Sequence, residues 1–160
     1  MIIRKTEKED FSRVWEIFKQ VIEEREYYTY DEHTPRVYIE ENWINEENLS
    51  YVAKIEGEIA GVYIVRPNQP GHGKHIANAA YMVDNRFRNH GIGRKLGEHS
   101  LLAAKEVGYH AMQYNFVVST NVGAIKLWQS LGFDIIGTIP EAFHHFEKGY
   151  VDAHIMYRKL

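Results

Sequence analysis

Cysteine is absent from this chain of 160 residues. Its absence excludes disulfide bonds, thiolate metal ligands and a cysteine acyl-enzyme within the chain. Nine histidines are present, but the close groupings are His72 with His75 and His144 with His145, and neither has the spacing of a recognised metal-binding motif. We therefore expect the chain to hold no metal ion.

Long apolar runs and a large excess of one charge are also lacking. No apolar segment approaches the roughly 20 residues that span a bilayer. The net charge is -3 and the isoelectric point about 6.3, which argues against a nucleic-acid-binding protein with a broadly basic surface. Charged residues follow directly on Met1–Ile3, unlike the start of a signal peptide. We expect a cytoplasmic protein without a membrane or nucleic-acid partner.

The chain does contain an ordinary share of apolar residues, 44%, which at this length suffices for one domain with a sizeable core. We expect a single domain over residues 1–160 of class α/β or α+β, with a mixed sheet covered by helices. Sequence patterns predict strands at 1–6, 49–55, 59–65, 76–83, 111–118, 133–139 and 150–157. Helical spacing predicts helices at 7–25 and 92–107, with short helices after Pro35 and after Asn121.

Capping residues and apolar faces define these helices further. Thr6 with Glu9 fits a capping box before the first helix, and Thr34 with Pro35 fits an N-cap followed by proline at the first helical position. Gly108 is expected to end the central helix, and 140–149 is expected to be a loop. The predicted apolar faces are Phe11, Val14, Trp15, Phe18, Val21 and Ile22 in the first helix, Val37, Tyr38, Trp43 and Ile44 in the second, and Ile92, Leu96, Ala103 and Val107 in the central one.

A basic glycine turn lies between the strand at 76–83 and the central helix. Glycines there let a ligand approach the backbone closely, and the first N–H groups of the following helix have no partner within it. Together with the helix dipole they favour an anion such as pyrophosphate, to which two flanking arginines could add charge-assisted bonds. The turn comprises Arg88, Asn89, His90, Gly91, Ile92, Gly93 and Arg94.

Two motifs together resemble a known family, the GCN5-related N-acetyltransferases (GNAT). The turn, from Arg88 to Gly93, matches the family's R/Q-x-x-G-x-G/A signature. The segment from Asn121 to Phe133, NVGAIKLWQSLGF, is similar to the family's N-x-x-A-x-x-L-Y-x-x-x-G-F. The resemblance implies one domain with a mixed, mostly antiparallel sheet of about seven strands, splayed in the middle, and about four helices packed on both faces.

The resemblance also implies acetyl-CoA as cofactor and assigns residues to it. Backbone groups of Met82 and Val83 would pair with the pantetheine arm, and the turn at 88–94 would hold the pyrophosphate. Asn121 would hydrogen-bond the cofactor, although its side chain is equally expected as a helix N-cap. Trp128 would line the thioester pocket.

The expected catalytic residues are Val83, Asn115 and Trp128. The Val83 N–H is the family's usual donor to the developing oxyanion, and Asn115 could orient the amine or a water. The family has a tyrosine at position 128, often the acid that protonates the leaving thiolate. Indole is not a useful acid at neutral pH, so Trp128 either only walls the pocket while the thiolate leaves unprotonated, or another tyrosine such as Tyr81 or Tyr114 serves.

The closing stretch, residues 137–153, resembles a branch that acetylates small amino acids and azetidine-2-carboxylate, with phosphinothricin-type enzymes as neighbours. The expected acceptor is therefore a small amine, either an amino acid or an imino acid. Residues expected to contact it are Tyr28, Tyr30, Tyr81, Asn115 and His145. The tyrosines of the 26–33 loop could equally be packing residues, and Glu26, Glu141, His144 and His145 are all candidates for the base.

Other functions remain open from the sequence. The chain could be a non-catalytic acyl-CoA sensor, or an N-acetyltransferase that acts on peptides or proteins. A dinucleotide-binding module is disfavoured because the G-x-G-x-x-G spacing fails at Leu96 and no acidic residue closes the strand near Val118. Members of the family are often dimers, so a homodimer is also considered.

Overall fold

The computed structural model describes residues 1–45 and 47–160. Within these residues there are seven strands in one sheet of order β1-β2-β3-β4-β5-β7-β6. The strands are β1 Ile2–Lys5, β2 Leu49–Ile55, β3 Glu58–Pro67, β4 Ile76–Val83, β5 Ala111–Val118, β6 Asp134–His145 and β7 Gly149–Lys159. The α-helices are α1 Phe11–Glu23, α2 Arg36–Trp43, α3 Ile92–Glu106 and α4 Val122–Ser130.

The first helix begins later than its sequence pattern suggests. A short 3-10 turn, Lys8–Asp10, precedes α1, and its capping box joins Glu7 and Asp10 rather than Thr6 and Glu9. Thr6 instead hydrogen-bonds Ser50 on β2 through its hydroxyl, at 2.8 Å. The expected apolar face is mostly correct, except that Ile17 is buried and Trp15 only partly so.

The second helix differs from expectation in its start and its buried face. Pro35 is the N-cap rather than the first helical residue. The buried side chains are Ile39 and Trp43, whereas Val37 and Tyr38 are exposed. Ile39 and Trp43 are four positions apart, so both lie on one face of this helix of eight residues. That face packs against α1 and the sheet.

The last two strands form a long hairpin, and here the expected loop at 140–149 is wrong. β6 continues to His145 and is interrupted by a bulge between Ile139 and Phe143. Glu141 sits in the bulge at φ 51°, and its N–H donates to the Asp152 carboxylate at 2.9 Å. Pro140 lacks an N–H, which an interrupted ladder tolerates. Its loop-like composition therefore marks a bulge, not the end of the strand.

Helices cover both faces of the sheet, as expected. On one face α1 and α2 pack over residues such as Val62, Ile64 and Met82. On the other, α3 and α4 pack over Tyr63, Ala79 and Tyr114, among others. The central helix ends at Glu106, and Gly108 follows it in the left-handed region, at φ 94°. The expected core residue Val107 is exposed. No helix of the described residues is both long and apolar enough to cross a bilayer.

The sheet opens between β4 and β5, the one neighbouring pair of described strands that runs parallel. Pairing joins only Ile76 to Ala111 and Ala77 to Met112. Both strands then continue apart, to Val83 and Val118 respectively. The expectation of a sheet splayed in its middle is thereby confirmed, and the gap leaves the facing backbone edges of both strands without a strand partner.

Candidate active site

The gap between β4 and β5 widens into a cleft of about 470 Å³. Its walls come from the two separated strands, from the loop between α1 and α2, and from α4. The residues that line it include Tyr28, Tyr30, Arg66, Asn78, residues 79–83, Arg88, residues 114–118, Asn121, Ala124 and Trp128. Most of the expected site residues therefore meet in one place.

Tyr28 closes part of the open edge of β4. Its hydroxyl donates to the Tyr81 carbonyl at 2.6 Å and accepts from the Tyr81 N–H at 3.0 Å. A single phenol thus takes the two bonds that a neighbouring strand would otherwise make. The hydroxyl was expected at the acceptor, but it is engaged with the strand.

This contact shows which backbone groups of β4 face the cleft. Peptide groups along a strand point alternately to its two sides, so the Val83 N–H and carbonyl point the same way as those of Tyr81, into the cleft. Those of Met82 point the other way, towards its β3 partner Val62. The Asp84 N–H, which donates to the Ala60 carbonyl at 2.9 Å, follows the same alternation. The Val83 backbone therefore points into the cleft, whereas the Met82 backbone pairs with β3 and does not face the cleft.

The glycine turn leads into α3 and is separated from β4 by a short 3-10 helix, Asn85–Phe87. Asn89 and Gly91 both adopt left-handed backbone, at φ 64° and φ 73°, which carries the chain sharply into the helix. The first intrahelical bond at this end runs from the Lys95 N–H to the Gly91 carbonyl. The N–H groups of the first helical residues, Ile92–Arg94, therefore lack helical acceptors, and no side chain caps them.

The basic side chains of the turn are held by protein partners. Arg88 pairs with Glu24 at 2.8 Å and lies 5.7 Å from the Tyr27 ring centre. Arg94 donates to the Ser130 hydroxyl at 2.8 Å, and the His90 ring bonds the Arg88 carbonyl at 2.8 Å. The phosphate bonds expected from Arg88 and Arg94 are not pre-arranged, so the anion site rests on the backbone and the helix dipole.

Asn121 and Trp128 complete the α4 side of the cleft. The Asn121 side-chain oxygen accepts from the Ala124 N–H at 3.2 Å as an N-cap, while its amide nitrogen has no hydrogen-bond partner among the described residues. Trp128 is 8% exposed, and its ring centre lies 4.7 Å from that of Tyr81 and 4.9 Å from that of Tyr114. Trp128 thus forms a wall, and Asn121 keeps a donor for a ligand.

The comparisons with known proteins agree with this geometry. The model of the Acetyltransferase (GNAT) family matches residues 14–133. This chain belongs to the GNAT family. The first GNAT motif, residues 88–93, forms the turn that leads into α3. The second motif begins with Asn121, the N-cap of α4, and continues through that helix.

Several GNAT proteins are similar to this chain over different lengths. A GCN5-related N-acetyltransferase from Kribbella flavida has 37% identity and a TM-score of 0.95, over 99% of this chain and 97% of that one. N-acetyltransferase aca1 of Schizosaccharomyces pombe is 37% identical over 98 residues, 61% of this chain and 47% of that protein. N-acetylaspartate synthetase of Rattus norvegicus is 29% identical over 106 residues, 66% of this chain and 34% of that protein. The chain thus spans about half or less of these two curated relatives.

A further solved structure shares the fold while differing more in sequence. It is yncA from Salmonella typhimurium with its cofactor acetyl-CoA, 22% identical with a TM-score of 0.88, over 100% of this chain and 94% of that one. In the present chain, a Cβ added at Gly91 would meet no protein atom within 4 Å. The space beside this left-handed residue and the unpaired N–H groups of α3 fit a phosphate-bearing cofactor.

Polar side chains surround the side of the cleft away from the turn. The Asn115 side-chain amide donates to Asn68 at 2.6 Å and its oxygen accepts from Gln113 at 2.9 Å. Asn78 donates to the Gln113 carbonyl at 3.0 Å. The pairing of β5 with β7 is interrupted by a bulge between Tyr114 and Val117, next to Asn115. Asn115 was expected here, whereas Asn68, Asn78 and Gln113 carry no motif that distinguishes them in the sequence.

Two expected acceptor residues have their polar groups elsewhere. The Tyr81 hydroxyl bonds the Ser100 hydroxyl at 2.7 Å and that of Tyr114 at 2.9 Å, beneath the cleft. His145 is buried in the β6–β7 hairpin, and its Nδ1 accepts from the Glu147 and Lys148 N–H groups at 3.1 and 3.3 Å. It is not among the residues that line the cleft, and neither are the other base candidates Glu26, Glu141 and His144.

Buried tyrosines stay protonated in this site. Burial raises the pKa of Tyr81 to about 12, and burial likewise raises the pKa values of Tyr28 and Tyr114. None of the three is a ready acid or base near neutral pH. Among the described residues that line the cleft there is no aspartate, glutamate or histidine.

Proposed function

We propose that this chain is an acetyl-CoA-dependent N-acetyltransferase that transfers an acetyl group to the amine of a small molecule, an amino acid or imino acid. The observation that carries the proposal is the cleft between β4 and β5, into which the Val83 N–H points and whose lining includes Arg88 of the turn that leads into α3. Membership of the GNAT family supports acetyl-CoA as the acetyl donor. The acceptor class, a cytoplasmic location and a homodimer are predictions of the sequence.

The cofactor would be held mainly by backbone groups. The N–H groups of Ile92, Gly93 and Arg94 are available for pyrophosphate oxygens, where the α3 dipole favours negative charge. The backbone of Val83 is oriented to pair with an extended amide-containing arm, as one strand pairs with another. Asn121 can donate from its free side-chain nitrogen while its oxygen caps α4.

Bound acetyl-CoA supplies an acetyl thioester, whose carbonyl carbon the amine attacks so that an N–C bond forms and the C–S bond breaks. The Val83 N–H can stabilise the negative charge that develops on the carbonyl oxygen. Trp128 and the α1–α2 loop cover the cleft from opposite faces of the sheet, where they can exclude water and hold the reactants close. The chain has no cysteine, so direct transfer is the simplest route.

Proton movements in this cleft rely on solvent. The attacking amine must lose its proton, and the described lining offers no carboxylate or imidazole to receive it. We propose that the acceptor binds as the free amine and that the proton released as the N–C bond forms passes to water. On the other side, the CoA thiolate can leave unprotonated because a thiol pKa near 8.5 makes it a tolerable leaving group. Trp128 then has no acid role to fill.

The size and walls of the cleft favour a small acceptor. Tyr28 and Tyr30 stack with ring centres 5.9 Å apart and cover the cleft from the α1–α2 loop. A volume of about 470 Å³ must hold both the end of the pantetheine arm and the acceptor. These features support the branch that acetylates small amino acids and azetidine-2-carboxylate over one that acts on an extended peptide.

The test is thiol release from acetyl-CoA by the purified protein with a panel of amines, together with its thermal stabilisation by acetyl-CoA. Release with amino or imino acids would support the proposal. Stabilisation without release from any amine would favour the alternative, a non-catalytic acyl-CoA sensor, for which the absence of a carboxylate or imidazole in the described lining is the motivating observation. If neither thiol release nor thermal stabilisation is observed, cofactor binding itself is refuted.

A further inference from the structure

We infer that the acceptor amine carries a carboxylate and that Arg66 binds it. This inference rests on the proposed function and names the chemical class of the acceptor together with a residue that selects it.

Arg66 lies near the end of β3, opposite Asn78 of β4. Side chains two residues apart on a strand share a face, so Arg66 lies on the same side as Val62 and Ile64, which pack under α1 and α2. Its side chain lines the cleft and is half-buried. Arg66 therefore reaches the cleft from the face covered by the α1–α2 loop, opposite the face on which α3 and α4 pack.

The surroundings of Arg66 are polar but uncharged. Asn78 lies directly across the strand pair, and its side chain is joined to β5 through the Gln113 carbonyl. Asn115, held by Asn68, lines the same cleft. Burial raises the pKa of Tyr30, and the nearby positive charge of Arg66 opposes that shift. Amides and a phenol near a guanidinium are groups that can orient a carboxylate without competing for it.

The charge of Arg66 is not neutralised by any carboxylate among residues 1–45 and 47–160. Of the two arginines that line the cleft, Arg88 is paired with Glu24. No carboxylate of a described residue lies within 4 Å of the Arg66 guanidinium. Salt bridges are formed by Arg4, Arg13, Arg86, Arg88 and Arg94. Arg25, Arg36 and Arg158 form none with described residues either, but they do not line the cleft. An unpaired guanidinium in a partly enclosed cleft would be compensated by a bound anion.

An acceptor carboxylate fits this position chemically. The planar guanidinium can bind both carboxylate oxygens at once, which fixes the direction of the molecule as well as its charge. An amino acid held in this way would present its amine at a set distance from the anchor. Polycations such as polyamines would meet an unpaired positive charge and be disfavoured.

The test compares matched acceptors that differ only in the carboxylate. Alanine with alaninamide, proline with prolinamide and glycine with glycinamide form the pairs, with spermidine as a polycation. Rates are divided by the fraction of unprotonated amine, since an amide lowers the pKa of its neighbouring amine. We expect the kcat/KM of the best acid to exceed that of its amide by roughly 10- to 100-fold, the effect of one charge-assisted bond.

Variants of Arg66 then assign the preference to this residue. Arg66→Gln should lower kcat/KM for the acid by roughly 10- to 100-fold, chiefly through KM, and change it for the amide less than about threefold. Arg66→Lys keeps the charge and should retain part of the preference. Lys105→Gln, which removes a positive charge at the exposed end of α3, should behave as the wild type. The KM for acetyl-CoA should stay unchanged in all three.

The outcomes separate this inference from the proposed function. If amides or spermidine react as well as the acids, or if Arg66→Gln slows acid and amide alike, the inference is overturned while the N-acetyltransferase stands. If no acid in the panel reacts, the inference is likewise overturned. A lack of reaction with every amine and of stabilisation by acetyl-CoA refutes the proposed function as well. The comparison of acid with amide in the wild type needs no variant, so a poorly folding Arg66→Gln protein would not obscure it.

Discussion

The two sides of the cleft are built from different kinds of groups. On the side of the proposed cofactor, the contacts come from the Val83 backbone and the first N–H groups of α3, and the basic side chains nearby are engaged elsewhere. On the acceptor side, they come from side chains such as Tyr30, Arg66 and Asn115. Backbone groups suit a ligand that stays the same, whereas side chains can change with the acceptor while the fold is kept.

The largest effect should come from the backbone of the glycine turn. Gly91→Val forces a β-branched residue into the left-handed region, now at φ 73°, and puts a side chain into the space beside the α3 N–H groups. Losing one or two charge-assisted bonds there would raise the KM for acetyl-CoA by roughly 100-fold. Steady-state kinetics with acetyl-CoA varied would measure this change.

Gly93→Ala is the matched control for that change. A Cβ at Gly93 would meet Leu127 at 3.5 Å, an ordinary contact, and alanine favours a helix by about 1 kcal/mol over glycine. We expect a KM for acetyl-CoA within threefold of the wild type and an unchanged or higher melting temperature. Equal damage from both substitutions would show that the cofactor also lies against the Cα of Gly93, and that the N–H groups of the first turn of α3 are not its only contact there.

The pH dependence tests whether the acceptor side contains a base. The pKa of Tyr81 is raised by burial to about 12, and the pKa values of Tyr28 and Tyr114 are raised by burial too. All three stay neutral between pH 6 and 9, so only the acceptor amine would gain reactivity as pH rises. We expect kcat/KM to increase about tenfold per pH unit below the amine's own pKa, measured with saturating acetyl-CoA.

Acceptors with different amine pKa values provide the control for this profile. If the acceptor sets it, the profile for prolinamide should level off at lower pH than that for proline, because the amide has the more acidic ammonium group. A plateau at one pH for both acceptors would instead reveal an ionising group of the enzyme. The acceptor side would then contain a catalytic base outside the described lining.

Tyr28 connects the two sides of the cleft. It lies in the α1–α2 loop, on the proposed acceptor side, and bonds β4, on the proposed cofactor side. Tyr28→Phe removes the hydroxyl that bonds both backbone groups of Tyr81, at 2.6 and 3.0 Å. We expect a loss of about 1–3 kcal/mol in unfolding free energy and a roughly tenfold lower kcat, as the β4 edge loosens next to Val83. Chemical denaturation and steady-state kinetics would measure the two effects.

Tyr150→Phe makes the same chemical change at an exposed ring of β7, away from the cleft lining. It should leave both stability and kcat near the wild-type values. An intact kcat in Tyr28→Phe, with lower stability, would mean that this bond holds the loop but does not position the backbone for reaction.

The cofactor side was largely predictable because its parts are contiguous in sequence. The strand at 76–83, the glycine turn and α3 follow one another, and the Asn121 cap opens a second short motif. Local rules on strand alternation, left-handed glycine and helix ends suffice to place such elements. Those rules did not predict which backbone groups of β4 face the cleft. Only strand pairing shows that the Val83 backbone faces the cleft and the Met82 backbone faces β3.

The acceptor side was much less predictable because distant segments form it. The bond from Tyr28 to Tyr81 joins residues 53 positions apart, and Arg66 reaches the cleft only because β3 pairs with β4 in a particular register. His145 looked suitable by composition, yet its ring accepts bonds from its own hairpin. Side chains brought together by tertiary pairing leave no periodic signal in the sequence.

The smallest effect should come from Trp128, the position at which the family has a tyrosine. Its ring packs against Tyr81 and Tyr114, and its N–H makes no hydrogen bond to a described residue. If Trp128 is only a wall, Trp128→Phe should keep kcat within about threefold despite some lost packing. Pre-steady-state release of the thiol would separate chemistry from product release.

Trp128→Tyr sharpens this last comparison, because it restores a hydroxyl that could protonate a leaving thiolate. An enzyme whose thiolate leaves unprotonated gains nothing from that hydroxyl, so we expect the tyrosine variant to be no faster than Trp128→Phe. A tyrosine variant at least tenfold faster than the phenylalanine one would show that the reaction can use a general acid. The presence of tryptophan at position 128 would then mean that a catalytic acid is missing. The cofactor side of the cleft would depend on this side chain as well as on backbone groups.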